Sequence, residues 1–265
     1  MTSSSDLAVT EGIGTSPQRA ALLRSPGAAA RAAGILYLIS WVCFFAGAAL
    51  VSPMRDVGHD LAVIHSQSGQ LITGVLLEFG DGAATVGFAV VLLPYLRRGG
   101  EALAHGYVAL RVLGAAMYLI AGAATASLIT LSEQFVAAGS PVGGAYRAAQ
   151  AVAVGQATWA VTLDVAPFAV GAVLLYVLLY RTRLVPRFIA VWGLVGVGML
   201  AVANLINPDV TQLGAAALLV VPMSLNELFL AGWLIVKGFD QQALAPTEAP
   251  TPTTSAADAR VGAAS

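Results

Sequence analysis

Six long apolar runs dominate this chain and leave little choice of fold. They cover residues 32–52, 71–96, 106–131, 154–180, 186–206 and 213–236. A bilayer core about 30 Å thick is crossed by about 20 mostly apolar residues of helix. The expectation is therefore an all-α, polytopic membrane bundle of six transmembrane helices. Composition agrees. The chain is 58% hydrophobic and only 10% charged, where a soluble domain carries about 25% charged residues. So few charges cannot cover a globule, and the uncovered surface must face the lipid bilayer. The connections are short, so neighbouring helices run antiparallel.

The polar ends divide the chain into three. Residues 1–30 are small and polar and read as a disordered N-terminal segment, too long and too polar for the start of a cleaved signal peptide. The first apolar run is also longer than a signal-peptide core of about 7–15 residues, so it reads as an uncleaved span. Residues 31–238 form the membrane domain. Residues 239–265, with "APTEAPTPTTSAADARVGAAS", hold almost no large apolar side chain. Such a segment cannot bury enough surface to fold.

Charge sets an orientation. Arg19, Arg24, Arg31, Arg97, Arg98, Arg111, Arg181, Arg183, Arg187, Lys237 and Arg260 belong to one side of the six-span arrangement, and only Arg55 and Arg147 to the other. Basic residues near span ends stay in the cytoplasm, which predicts cytoplasmic N- and C-termini. All bases but one are arginine, and Ala and Gly are abundant, a bias that fits a bacterial genome and hence the inner membrane. A net charge of −1 gives no field that would attract nucleic acid. The single Cys43 reads as a small hydrophobe.

Four acids lie inside apolar runs: Glu78 and Asp81 in the second, Asp164 in the fourth, Glu227 in the sixth. At 1.5 Å per residue they sit about 10, 15, 15 and 21 Å below the same face, close enough in depth to form one polar region. An ionised acid at a helix centre costs about 2.5–3.5 kcal/mol on insertion scales. They must therefore face inward, pair, hold protons or meet water. Glu78 and Asp81, three residues apart, share a helix face. Two like charges there predict that one of the pair is protonated at neutral pH. Arg111 is the one base well inside a run. A third helix starting near Leu103 buries it within reach of Asp81, whereas a start near Tyr107 lets it snorkel outward. Asn226 and nearby hydroxyls complete the candidate polar cluster. Asp164 stands three residues before Pro167, which frees a carbonyl one turn earlier, and for it the structural reading is preferred over the proton-handling one. Pro222 lies five residues before Glu227. For Asp81 and Glu227 a structural role and a proton- or cation-handling role both stay open.

Little else carries chemistry. "RDVGHDLAVIH", with Asp56, His59, Asp60 and His65, reads as a solvated loop rather than a metal site. Paired histidines for a membrane haem, a phosphate-cradling loop, H-E-x-x-H and G-x-S-x-G are all missing. Neither a catalytic residue, a metal nor a cofactor is expected. Tyr37, Trp41, Tyr95, Tyr107, Tyr180, Trp192 and Trp233 mostly fall near span ends, as interfacial aromatics do. Ala83-x-x-x-Gly87, Gly122-x-x-x-Ala126 and "GLVGVG" from Gly193 offer small-residue packing faces.

"RAAGILYL" from Arg31, Asp81 followed by "YLRR" from Tyr95, "YRTRLVPRFIAVWG" from Tyr180 and "NELFLAGWLIVKGF" from Asn226 together resemble a bacterial six-pass membrane family, domain of unknown function four-three-eight-six, over about residues 28–240. The resemblance implies six helices and no assigned activity. By motif position Arg31, Asp81, Arg111, Arg187, Glu227 and Lys237 match the family's polar positions, and Gly171 stands where members often carry a fourth-helix histidine. One functional reading is a small proton-coupled transporter, expected to dimerise. The other is a non-catalytic membrane partner subunit or sensor whose carboxylates are structural. A lipid-modifying or redox enzyme is disfavoured by the missing motifs.

Overall fold

The computed structural model describes residues 25–56, 58, 60–141, 144–206 and 217–244. Both tails and His59 lie almost wholly outside these residues. The elements are α1 (Pro26–Val51), a 3-10 turn (Ser52–Arg55), α2 (Leu61–Ser66), α3 (Ser68–Leu96), a second 3-10 turn (Arg97–Gly99), α4 (Glu101–Ala137), α5 (Gly144–Thr182), α6 (Arg187–Ile206), α7 (Ala217–Val236) and α8 (Gln241–Leu244). No strand occurs among the described residues. Six of the helices, α1 and α3 to α7, are long and apolar enough to cross a membrane. In lipid the backbone must satisfy its own polar groups, and a helix does so within one segment.

Local chemistry sets several boundaries. Ser25 caps α1, its hydroxyl accepting from the Ala28 N–H at 3.3 Å, and Pro26 fills the first turn, where no amide donor is needed. Asp60 caps α2 by accepting from the Ala62 N–H at 2.9 Å. Gly238, at φ 73°, ends α7, and its N–H returns to the Trp233 carbonyl. The chain then crosses to the α5–α6 turn, where the Asp240 N–H donates to the Leu184 carbonyl at 2.9 Å.

The six long helices close into a ring. Each packs on the next, from α1 to α3, α4, α5, α6 and α7, and α7 returns to α1. That last contact is antiparallel: Tyr37 meets Glu227, while Gly34, one turn earlier on α1, meets Ala231 and Ile235. Without a hydrophobic drive between helices in lipid, association depends on close approach. A side chain at Gly34 would strike the Ala231 carbonyl, and one at Gly74 would strike Val51. In "GLVGVG", Gly193 seats the Tyr176 ring and Gly196 admits the backbone of Met223. This motif therefore packs the chain against itself.

The ring has two unlike ends. One gathers Arg31, Arg97, Arg98, Arg181, Arg183, Arg187 and Lys237, and is called here the basic end. Its elements are tied together by Arg181 donating to the Gly99 carbonyl and by the Tyr95 and Phe239 rings, 4.7 Å apart. The opposite end carries a lid. There the 3-10 turn after α1 and the short α2 bury Val51, Met54, Leu61 and Ile64 against Leu71 and Leu128.

The helices exceed the apolar runs. α4 starts at Glu101, not near residue 106, and α5 at Gly144, not near 154. Polar first turns extend a helix beyond the lipid-length run, because backbone bonding continues past the apolar stretch. This decides between the two alternatives for Arg111 and corrects one expectation for the aromatics. Arg111 lies deep, with 5% of its surface exposed. Tyr37 and Tyr107, expected near an interface, are 5% and 0% exposed and belong to the interior.

Candidate functional site

The inward-facing polar side chains stack in three tiers along the ring. Nearest the lid is a closed ion pair. Arg55 Nη1 and Nη2 donate to Glu78 Oε1 and Oε2 at 3.0 and 2.7 Å, and Arg55 Nε donates to the Thr125 hydroxyl at 2.9 Å. The Thr125 hydroxyl in turn donates to the Ala121 carbonyl at 2.8 Å. Glu78 is 3% exposed, and Gly47 on α1 leaves room for it: a side chain there would lie 3.1 Å from Glu78 Cγ. Glu78 and Asp81 share the inward face of α3, as their spacing predicts, but they take different partners: Glu78 is paired with Arg55, which the sequence reading did not supply. Sequence reasoning placed Arg55 in the connection and gave Glu78 no partner. The signal was position: the single 3-10 turn "SPMR" is short enough to fold Arg55 back over the ring.

The middle tier holds Asp81 and Asp164. Ser40 Oγ donates to Asp81 Oδ1 at 2.5 Å and Thr85 Oγ1 to the same oxygen at 3.2 Å, with the two hydroxyls 2.8 Å apart. Thr85 follows Asp81 by one helical turn, and Ser40 comes from α1. Asp164, on α5, is 9% exposed and makes no hydrogen bond among the described residues. Its Oδ1 lies where a side chain on Gly114 would be. Glycine at 114 is what lets the carboxylate approach α4.

The third tier, toward the basic end, centres on Arg111. Its guanidinium carbon lies 4.9 Å from the Phe168 ring centre and 5.4 Å from that of Tyr107. Its Nε and Nη2 have no hydrogen-bond partner among the described residues, nor do the buried hydroxyls of Tyr107 and Tyr176. Tyr107 sits beside the guanidinium without the alignment of a hydrogen bond. Glu227, only partly covered by the chain, accepts from the Tyr37 hydroxyl at 2.7 Å. Tyr37 is held by stacking on Phe88, with ring centres 4.3 Å apart and planes at 13°. Arg111 is close enough to Asp81, Asp164 and Glu227 to feel their charges, yet is bonded to none of them.

Asn226 takes another role. It is fully buried and its amide donates to the Ile189 carbonyl at 3.0 Å, tying α7 to α6. Gly171 packs beside Leu110 and the Tyr107 ring, next to this third tier. His65 lies on α2, and no group of three or more metal-ligating side chains forms among the described residues.

A ring of six membrane-crossing helices around a tiered polar axis defines the class: a multi-pass membrane protein. The family model described as "Domain of unknown function (DUF4386)" matches residues 32–238, and the chain belongs to that family. No curated protein and no solved structure matches the chain.

Proposed function

We propose that this chain is a small proton-coupled transporter of the bacterial inner membrane, with both termini cytoplasmic. One observation carries the reading: four acids face the ring interior against two bases, and the bases are unequally shared. Glu78 uses Arg55 completely. Among the described residues, Asp81, Asp164 and Glu227 share Arg111 as the base within electrostatic range, and none of them is hydrogen-bonded to it. Unpaired buried charge in lipid is costly. The excess negative charge of the three acids is balanced by protons, and acids that take and release protons beside a polar axis are the working parts of a proton-coupled carrier. The basic end, richer in arginine, is the cytoplasmic one by the distribution of positive charge. Dimerisation is expected for so small a carrier.

The closed contacts favour a second reading for part of the axis. Glu78 with Arg55, and Asp81 with Ser40 and Thr85, are satisfied arrangements of the kind that fix helix register, as a structural partner subunit or sensor would need. Thermal stability in detergent across pH, for wild type against Asp81→Asn and Glu227→Gln, separates the two. Equal or greater stability in both variants supports the transporter, because charges held for function are kept at the expense of stability. A large loss in both means the acids hold the bundle together, and the carrier reading fails.

A further inference from the structure

We propose that the Nε–Nη2 edge of Arg111 is the binding site for a monocarboxylate with an apolar body, an inference that rests on the proton-coupled reading and names its substrate class. The molecule supplies its own reference. The Arg55 fork grips the two oxygens of a carboxylate, at 3.0 and 2.7 Å. Arg111 presents one unpartnered fork edge, although it is 5% exposed. Planar two-point recognition of a carboxylate is what a guanidinium edge does well and an ammonium does not.

Charge points the same way. A guanidinium cannot shed its proton in a protein, whereas each neighbouring carboxyl can be neutralised by taking one. With Asp81, Asp164 and Glu227 protonated, the charge left in the third tier is the positive charge of Arg111, and a ligand carrying one negative charge completes it. With those acids ionised, the same ligand is repelled. The titratable groups within electrostatic range of the guanidinium are Tyr37, Asp81, Tyr107, Asp164, Tyr176 and Glu227, of which the Tyr107 ring lies over it. A carboxylate thus enters together with protons, which is the coupling a symporter requires. The hydroxyls of Tyr107 and Tyr176, which make no aligned hydrogen bond among the described residues, are available as further donors. The rings of Phe168 and Tyr107 lie 4.9 and 5.4 Å from the guanidinium carbon, and a ligand with an apolar body is the one that would extend these aromatic contacts.

The test uses the purified full-length chain and reads its melting temperature against benzoate, acetate, octanoate and inorganic phosphate. Benzoate is expected to raise the melting temperature saturably, more at acid than at neutral pH, and phosphate to leave it unchanged. A preference for octanoate delivered in vesicles over benzoate assigns the carboxylate to lipid, and the reverse assigns it to water. Arg111→Lys keeps the charge and loses the fork, and is expected to weaken benzoate at least tenfold. Should that variant fail to fold, Tyr107→Phe and Tyr176→Phe remove only hydroxyls and are expected to weaken radiolabelled benzoate binding several-fold. Absence of any carboxylate effect on wild type, or an unchanged response in Arg111→Lys, overturns the site. Collapse of Asp81→Asn and Glu227→Gln while benzoate still binds through Arg111 removes the proton coupling and leaves the site standing.

Discussion

Two guanidiniums sit inside this ring, one under the lid and one toward the basic end, and they are treated differently. Arg55 is 13% exposed at its side chain and uses all three nitrogens, two on Glu78 and one on Thr125. Arg111 is more deeply buried and leaves Nε and Nη2 unpartnered, resting against aromatic rings instead. A closed, fully bonded pair is an arrangement for holding helices in register. A buried cation with open donors, among acids that are not bonded to it, is an arrangement for meeting something else. On the proposed reading, the contrast separates a structural end of the polar axis from a chemical one.

The largest effect should come from breaking the closed pair on one side only. Glu78→Gln leaves Arg55 buried without a counter-charge and should cost about 3–5 kcal/mol, read by unfolding in detergent or bicelles. Replacing both partners, Arg55→Met with Glu78→Met, should recover most of that loss. Recovery would confirm that the lid-end pair acts as fastening, and a lasting loss of both halves would undo the contrast.

Gly193→Ala comes next. Its methyl group would enter the Tyr176 ring, and overpacking of this kind costs about 1–3 kcal/mol, partly offset by the better helix propensity of alanine, about 1 kcal/mol. A melting temperature equal to wild type would show that Tyr176 is free to move.

Tyr37→Phe removes the hydrogen bond to Glu227. Polar contacts between membrane helices are worth about 0.6 kcal/mol on average and about 1.7 at most, so a loss of about 1 kcal/mol is expected. The smallest change should follow Arg111→Gln, within about 1 kcal/mol of wild type and of either sign, because the charge it removes makes no hydrogen bond through Nε or Nη2. A loss as large as that of Glu78→Gln would mean the two arginines are alike after all.

Much of the axis was legible before any coordinates. Glu78, Asp81, Asp164 and Glu227 stood out because charge is rare in lipid-length apolar runs; the first three are buried, and Glu227 is partly covered and bonded to the buried Tyr37. Their pairing was not legible. Helical spacing placed Glu78 and Asp81 together, yet Glu78 turns to Arg55 and Asp81 to Ser40 and Thr85. The choice was made by residues distant in sequence, Ser40 from α1 and Arg55 from the turn after it. Tyr107, central to the third tier, read as an interfacial aromatic, and Tyr176 beside it carried no signal, because spacing along one helix does not say which neighbour it will face.

The sequence by itself determined that this is a six-helix membrane protein, because hydropathy and run length act locally, residue by residue, against a solvent of fixed thickness. It also determined which side carries the arginines, since that is a property of connections in chain order. Only the tertiary structure decided that the helices close into a ring, that Arg55 folds inward, and that Arg111 is left with open donors. Those outcomes depend on which helix faces meet, and in lipid that is settled by close packing at positions such as Gly34, Gly74 and Gly193, and by the need of each buried polar group to find a partner.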